Sequence, residues 1–128
     1  MNFPIITLLV LCVLPIVWSW TSGYFRHKQF GSVDNKHPRE QNAKLTGAGA
    51  RAVAAQQNAW EALAVYAAAL LAVNVANVPV ESYATLTGII ILCRIAHGVL
   101  YVANIDALRS LVFLPSYGIC IYMLVLAL

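Results

Sequence analysis

The chain has 128 residues, of which 61% are hydrophobic and only 10% are charged, with a formal net charge of +3. Because a soluble domain typically carries about 25% charged residues to cover its core, this composition excludes an ordinary soluble domain. Six of the eight Lys and Arg residues fall within residues 26–51, a stretch whose one aromatic residue is Phe30 and which matches no nucleic-acid recognition motif. We therefore expect an integral membrane protein that binds no nucleic acid.

The first predicted helix covers residues 3–24. Residues 1–25 carry no charge, and about 20 apolar residues suffice to span a bilayer. A secretory signal peptide is the alternative, but the segment begins without Lys or Arg and no small-residue cleavage site follows it. Trp18, Trp20 and Tyr24 suit the membrane interface at its end. We therefore predict a membrane-spanning helix here.

The remaining chain predicts a polar loop over residues 26–48 and three further helices over residues 49–77, 81–103 and 108–128. Four spans with short connections predict an all-α, antiparallel four-helix bundle. The basic loop is expected in the cytoplasm by the positive-inside rule, with both chain ends on the opposite side of the membrane. Lacking a cleavable signal or an obvious retention tail, the sequence favours a bacterial inner membrane over the endoplasmic reticulum.

Metal and disulfide sites are not predicted. Cys12, Cys93 and Cys120 lie in apolar segments, are odd in number and show no CxxC spacing. The three histidines are scattered and no carboxylate cluster accompanies them, so a metal would find too few ligands.

Polar residues interrupt two of the apolar spans, although a central charge costs about 2.5–3.5 kcal/mol on insertion scales. In the second helix Arg51 and Asn58 share a face, and in the third helix a polar stripe recurs at spacings of three and four. The second helix enters from the loop side and the third leaves toward it, so we expect one polar zone there. It contains Arg51, Asn58, Glu61, Arg94, His97, Tyr101 and Arg109.

Two interpretations of this zone are open. In the structural one, Glu61 pairs with Arg94, and the amides of Asn58 and Gln57 form interhelical hydrogen bonds. The side chains of Arg51 and Arg109 then extend to lipid head groups. In the functional one, the zone binds a small, multiply charged ligand: arginines bind carboxylates, Glu61 binds an ammonium, and Asn58 and Gln56 bind amides. No Ser or Cys lies beside a base, so the ligand itself is expected to bring any nucleophile.

Two segments carry a resemblance to a known family. The stretch RAVAAQQNAWEALAVY (residues 51–66) resembles the second helix of the MAPEG family, the membrane-associated proteins of eicosanoid and glutathione metabolism. The stretch RIAHGVLYVANIDALRSLVF (residues 94–113) resembles its third-helix and fourth-helix junction, most closely as in its prostaglandin E synthase and microsomal glutathione transferase members. The chain departs from the family pattern at Ala54, where well-studied members carry an arginine.

The resemblance implies a homotrimer with glutathione bound between neighbouring subunits near the cytoplasmic face. It implies that Arg109 holds the glutathione sulfur as a thiolate, a role that a nearby guanidinium favours. The second substrate would be an apolar electrophile or a lipid hydroperoxide from the bilayer. The glutathione-site positions that the resemblance implies are Arg51, Gln56, Asn58, Glu61, Arg94, His97 and Tyr101.

Three functions are therefore compared. The first is a glutathione-dependent membrane transferase or peroxidase with Arg109 as its catalytic residue. The second is a non-catalytic protein of the same fold that binds lipid or a protein partner, its polar residues joining helices. The third is a small transporter, whose cue would be Gly or Pro breaks in the spans at the site, and the sequence has none there.

Overall fold

A computed structural model of the protein describes residues 2–128. Over these residues the chain forms helices and no strands, so the predicted all-α class is confirmed. Helices α1, α3, α4 and α5 are each long and apolar enough to cross a membrane, which supports an integral membrane protein. The helices are α1 (Phe3–Phe30), α2 (Pro38–Ala43), α3 (Gly47–Val75), a 3-10 turn (Val80–Ser82), α4 (Ala84–Val102) and α5 (Asp106–Leu126).

The first helix is longer than predicted. Helix α1 continues six residues past position 24 because no residue stops it before Gly31. Gly31 adopts the left-handed conformation (φ 79°), and its N–H donates to the carbonyl of His27 at 2.8 Å, a common way for a helix to end. Part of the predicted loop is therefore helical.

The rest of the loop folds back onto the end of α1. The amide of Gln41, in the short helix α2, donates to the Ser32 carbonyl at 3.0 Å, and its oxygen accepts the Asp34 N–H at 2.9 Å. That oxygen also lies 3.5 Å from a guanidinium nitrogen of Arg26. The main-chain N–H of His37 donates to the Asp34 carboxylate and holds the pKa of that carboxyl below its usual value. The loop thus has a defined shape beside α1.

Helix α1 packs against α3 and α4, and a glycine permits its close approach to α4. The indole ring of Trp18 lies against Gly98, where even a Cβ atom would overlap the ring. Small residues have this effect in membranes, where close van der Waals packing drives helix association. Among the largest fully buried side chains are Leu11, Tyr66 and Ile90, one from each of these helices.

Hydrogen bonds join the same helices at the end of the bundle away from the loop. The hydroxyl of Thr7 donates to the Thr87 carbonyl at 2.9 Å, and the hydroxyl of Tyr66 donates to the Pro4 carbonyl at 2.8 Å. These two bonds connect α1 to α4 and α3 to α1. They also give each of the two hydroxyls a partner, which offsets the cost of burying it in apolar surroundings. The polar zone near the loop is thus not the only place where polar groups cross the bundle.

Candidate ligand site

A cavity of about 240 Å³ lies between α3, α4 and α5, with Leu11 of α1 at its floor; we call it the central cavity. Most of its lining residues are buried or half-buried, whereas Glu61 and Tyr117 are exposed and mark its mouth. The lining consists of Leu11, Asn58, Glu61, Ala62, Val65, Tyr66, Ile90, Arg94, Phe113, Ser116, Tyr117 and Cys120.

Three of the predicted site residues meet at one end of the central cavity. The Arg94 guanidinium donates to the side-chain oxygen of Asn58 and lies 3.4 Å from its main-chain oxygen. The Asn58 amide in turn donates to the Glu61 carboxylate at 3.4 Å. Asn58 and Glu61 are three residues apart on α3, so they share a face. Asn58 contacts Arg94 of α4 directly, and Glu61 contacts Asn58. The predicted convergence of these two spans is therefore present.

The guanidinium of Arg94 makes no direct contact with a carboxylate among residues 2–128. Its side chain is only 4% exposed, and its Nε has no hydrogen-bond partner within residues 2–128. Over that same range the one basic and acidic side-chain pair within 4.0 Å is His37 and Asp34, at 3.5 Å, so Arg94 and Glu61 form no ion pair. A buried cation held only by amide oxygens is costly, and an anionic group beside it would offset that cost.

A second group of predicted residues lies next to this end. The guanidinium carbon of Arg109 is 4.2 Å from the ring centre of Tyr101, a cation–π contact, and the Tyr101 ring meets His97 edge to face at 5.7 Å. His97 and Arg109 line another cavity, of about 370 Å³, which we call the Arg109 cavity. The Phe113 ring lines both cavities and lies 6.0 Å from the His97 ring. Phe113 therefore stands between the two groups.

Arg51 has a structural partner. Its Nε donates to the carbonyl of Val102, the last residue of α4, at 3.0 Å. Helix ends leave such carbonyls without an intrahelical partner, and a basic side chain commonly satisfies them. Arg51 thus fixes the end of α4 to α3. It was predicted to share the polar zone with Asn58, Glu61 and Arg94.

Gln56 faces away from the central cavity. It lines a cavity of about 560 Å³ between α1, α2 and α3, which we call the loop cavity. Positions 53, 56, 57 and 60 of α3 face this side, and positions 58, 61, 62 and 65 face the other, each set at spacings of one, three or four residues. The loop cavity is lined by Ser19, Arg26, Pro38, Arg39, Asn42, Ala43, Val53, Gln56, Gln57 and Trp60.

Arg26 is the residue of this region that sequence analysis missed. Assigned to a solvated loop, it instead lies in the last turns of α1, is 8% exposed, and its Nε has no hydrogen-bond partner in the part of the chain that the structure describes. A signal was present: Ser19, Ser22 and Arg26 recur at spacings of three and four, which is typical of one helix face. Both buried arginines thus lie beside a cavity, on opposite faces of α3.

Metal ligands do not cluster: the described residues contain no group of three or more His, Cys, Asp or Glu side chains that could hold an ion.

In comparison with known proteins, the model of the MAPEG family matches residues 3–128, which include all four apolar helices. No curated protein and no solved structure matches the chain. The closer resemblance to particular members of that family stays a prediction.

Proposed function

Because the chain belongs to the MAPEG family, which includes glutathione-dependent transferases and peroxidases, we propose that it binds glutathione and activates its thiol. The thiol would react with an apolar electrophile or a lipid hydroperoxide that arrives from the bilayer. The observation that carries the proposal is the buried guanidinium of Arg94, which borders a cavity and has no carboxylate partner within residues 2–128.

Glutathione has the groups that this end of the central cavity lacks. A carboxylate of the tripeptide would neutralise Arg94 through a charge-assisted hydrogen bond. Glu61 at the mouth would accept the ammonium, and Asn58, already between the two charges, would bind a peptide amide. With its carboxylate beside Arg94 and its ammonium beside Glu61, the ligand would give each charged side chain of the site an opposite charge.

Arg109 would act on the sulfur. A thiol is a weak nucleophile until it ionises, and a guanidinium close to it favours the thiolate. In transfer, the thiolate would attack an electrophilic carbon, forming a C–S bond while the electron pair of the broken bond leaves with the displaced group or passes to a neighbouring atom. His97 and Tyr101, packed around Arg109, would position its guanidinium.

We further propose that the site is completed by a second subunit of a homotrimer. Gln56 and Asn58 are two residues apart and face opposite cavities, so one small ligand cannot reach both within one chain. A neighbouring copy that placed its loop cavity against the central cavity would add Gln56 and Arg26. The unpartnered Nε of Arg26 supports that assignment. The loop, and with it the site, would face the cytoplasm of a bacterial inner-membrane protein.

A non-catalytic role remains the second candidate because some of these residues already bond to the protein. Arg51 holds the end of α4, and Arg94 bonds to Asn58. In this reading, the polar residues join helices and the family fold presents a surface to lipid or to a protein partner. Ala54, in place of an arginine that well-studied members carry, fits a weakened ligand site.

The test is glutathione binding to detergent-purified protein, followed by the ultraviolet absorbance of the thiolate. We expect binding with a thiolate signal in the wild type, and binding without that signal in Arg109→Ala. Glu61→Gln, at the exposed mouth, should weaken binding while leaving assembly unchanged. Absence of binding at millimolar glutathione would refute the proposal, and binding with no thiolate in the wild type would favour the non-catalytic candidate.

A further inference from the structure

The guanidinium of Arg26 is folded back along α1 instead of extending into water. Arg26 is 8% exposed, and its Nη2 would lie 3.6 Å from a Cβ atom placed on Gly23, one turn earlier in the helix. Lys28, two residues further along, is exposed. Because a long basic side chain near a helix end can reach water with its charged group, Arg26 must be held in this position by a contact that Lys28 lacks.

Gln41 of α2 makes this contact. Its side-chain oxygen accepts the main-chain N–H of Asp34 at 2.9 Å and lies 3.5 Å from Nη1 of Arg26. Its side-chain nitrogen donates to the Ser32 carbonyl at 3.0 Å. The two shorter bonds fix the rotamer of Gln41 on the loop, so the loop determines where this oxygen meets the guanidinium.

The contact with Gln41 determines which edge of the guanidinium is left for a ligand. It uses Nη1, whereas Nε is buried and has no hydrogen-bond partner within residues 2–128. Nε and Nη2 form one edge of the planar group, on which two parallel N–H groups match the two oxygens of a carboxylate. Arg26 lines the loop cavity, whose lining includes Arg39 but no Asp or Glu. The remaining edge of Arg26 therefore suits a carboxylate that a ligand brings.

We propose that Gln41 is a positioning residue, which holds the Nε–Nη2 edge of Arg26 toward the loop cavity and thereby raises the affinity of the site for a ligand carboxylate. This inference rests on the proposed function, in which glutathione lies at a subunit boundary and Arg26 belongs to its site. The γ-glutamyl carboxylate is bonded to the same carbon as the ammonium, so both fit Arg94 and Glu61, and the glycine carboxylate remains for Arg26. Gln41 does not line the loop cavity, so it acts on binding only through Arg26.

The test compares, by calorimetry, the affinity of detergent-purified protein for glutathione and for its glycine monoethyl ester, in which that carboxylate is blocked. A hydrogen bond to a charged group changes a dissociation constant by about 10-fold to 100-fold, so the wild type should prefer glutathione by such a factor. In Gln41→Glu the new carboxylate pairs with Arg26 and competes with the ligand, so the preference should fall below about threefold. Arg26→Ala gives the reference value for complete loss of the preference.

Gln29→Glu is the matched control. The side chain of Gln29 donates to the Lys44 carbonyl at 3.2 Å and accepts the Thr46 N–H at 3.1 Å, so it makes the same kinds of bond to the loop as Gln41 does. It does not line the loop cavity, and it makes no contact with Arg26. Gln29→Glu should therefore keep the preference of the wild type for glutathione over the ester.

A preference that is retained in Gln41→Glu, or lost equally in Gln29→Glu, would overturn the inference. So would a wild type that binds glutathione and its ester equally, although the proposed function would then stand. Absence of glutathione binding to the wild type would instead refute the proposed function, and this inference with it. Gln41→Met, which releases Arg26, and Gln29→Met are compared in the same way where Gln41→Glu does not assemble.

Discussion

At the scale of single residues, Arg94 is the most informative side chain. The sequence predicts that it meets Asn58 and Glu61 near the loop, because helical spacing and the antiparallel order of the spans determine this. The sequence does not predict how their charges pair, since that depends on which rotamers reach across the bundle. The structure joins Glu61 to Asn58 and leaves the Arg94 charge without a carboxylate among residues 2–128.

Replacement of Arg94 by methionine is expected to separate binding from stability. The variant escapes the cost of burying a charge but loses the hydrogen bonds from the guanidinium to Asn58, so we expect the free energy of unfolding to change by no more than about 1 kcal/mol. Loss of a hydrogen bond to a charged group costs about 1.5–3 kcal/mol, so glutathione should bind about 10-fold to 100-fold more weakly. Mixed-micelle unfolding and calorimetry measure the two effects. A destabilised variant with normal affinity would show that Arg94 only joins helices.

Tyr66 gives a second prediction at this scale. Its buried hydroxyl donates to the Pro4 carbonyl, which links α3 to the start of α1. Tyr66→Phe should lower the free energy of unfolding by about 1 kcal/mol, because one hydrogen bond is lost and the ring is kept. Tyr122→Phe, whose side chain is exposed, is the control and should have no effect. Equal stability of the two variants in micelles would contradict the assigned role of the bond.

At the scale of elements, the apolar runs predict the four spans well. They do not predict where α1 ends or that the segment between α1 and α3 contains a short helix. The end of α1 depends on where a left-handed residue stops the helix, and Gly31 does so although Gly23 lies earlier. Helix α2 has only six residues, too few for a periodic pattern to show. The different directions of Gln56 and Asn58 follow from helical phase, since residues two apart on a helix point to nearly opposite sides. The spacing in the sequence contains this information, but the resemblance to the family placed both residues in one site.

The contact between α1 and α4 predicts a large effect from one methyl group. In Gly98→Ala the new Cβ would overlap the Trp18 ring, so the helices must separate, at a cost of about 1–3 kcal/mol in the free energy of unfolding. In Gly118→Ala the new Cβ meets no atom within 4 Å in the described chain, and the helix should gain about 0.5–1 kcal/mol. Thermal unfolding of both proteins in the same detergent measures the difference. Similar melting temperatures would show that the two helices are not in close contact.

At the scale of the whole molecule, the proposed site needs two subunits, and mixed oligomers test this. Asn58→Ala damages the central-cavity half and Arg26→Ala damages the loop-cavity half, so each protein alone should bind glutathione poorly. In co-expressed, randomly mixed oligomers of the proposed kind, about a quarter of the subunit boundaries would combine two intact halves and regain binding. Calorimetry of the purified mixture measures the bound fraction.

The matched control mixes Asn58→Ala with Arg94→Met, which damage the same half. No boundary in that mixture has an intact central-cavity half, so binding should not return. Recovery in both mixtures, or in neither, would show that the two cavities do not form one site.

The placement of the two buried arginines on opposite sides of α3 also restricts the symmetry of an assembly. A two-fold axis could pair the central cavity of one subunit with the loop cavity of the other only if both cavities lay in one interface, whereas they lie on opposite sides of α3. A head-to-tail arrangement joins unlike patches at every boundary, and it must close into a ring to leave no patch unpaired. If the proposed site is completed by a neighbouring subunit, this arrangement of arginines favours a closed ring of three or more subunits, in which the number of sites equals the number of subunits.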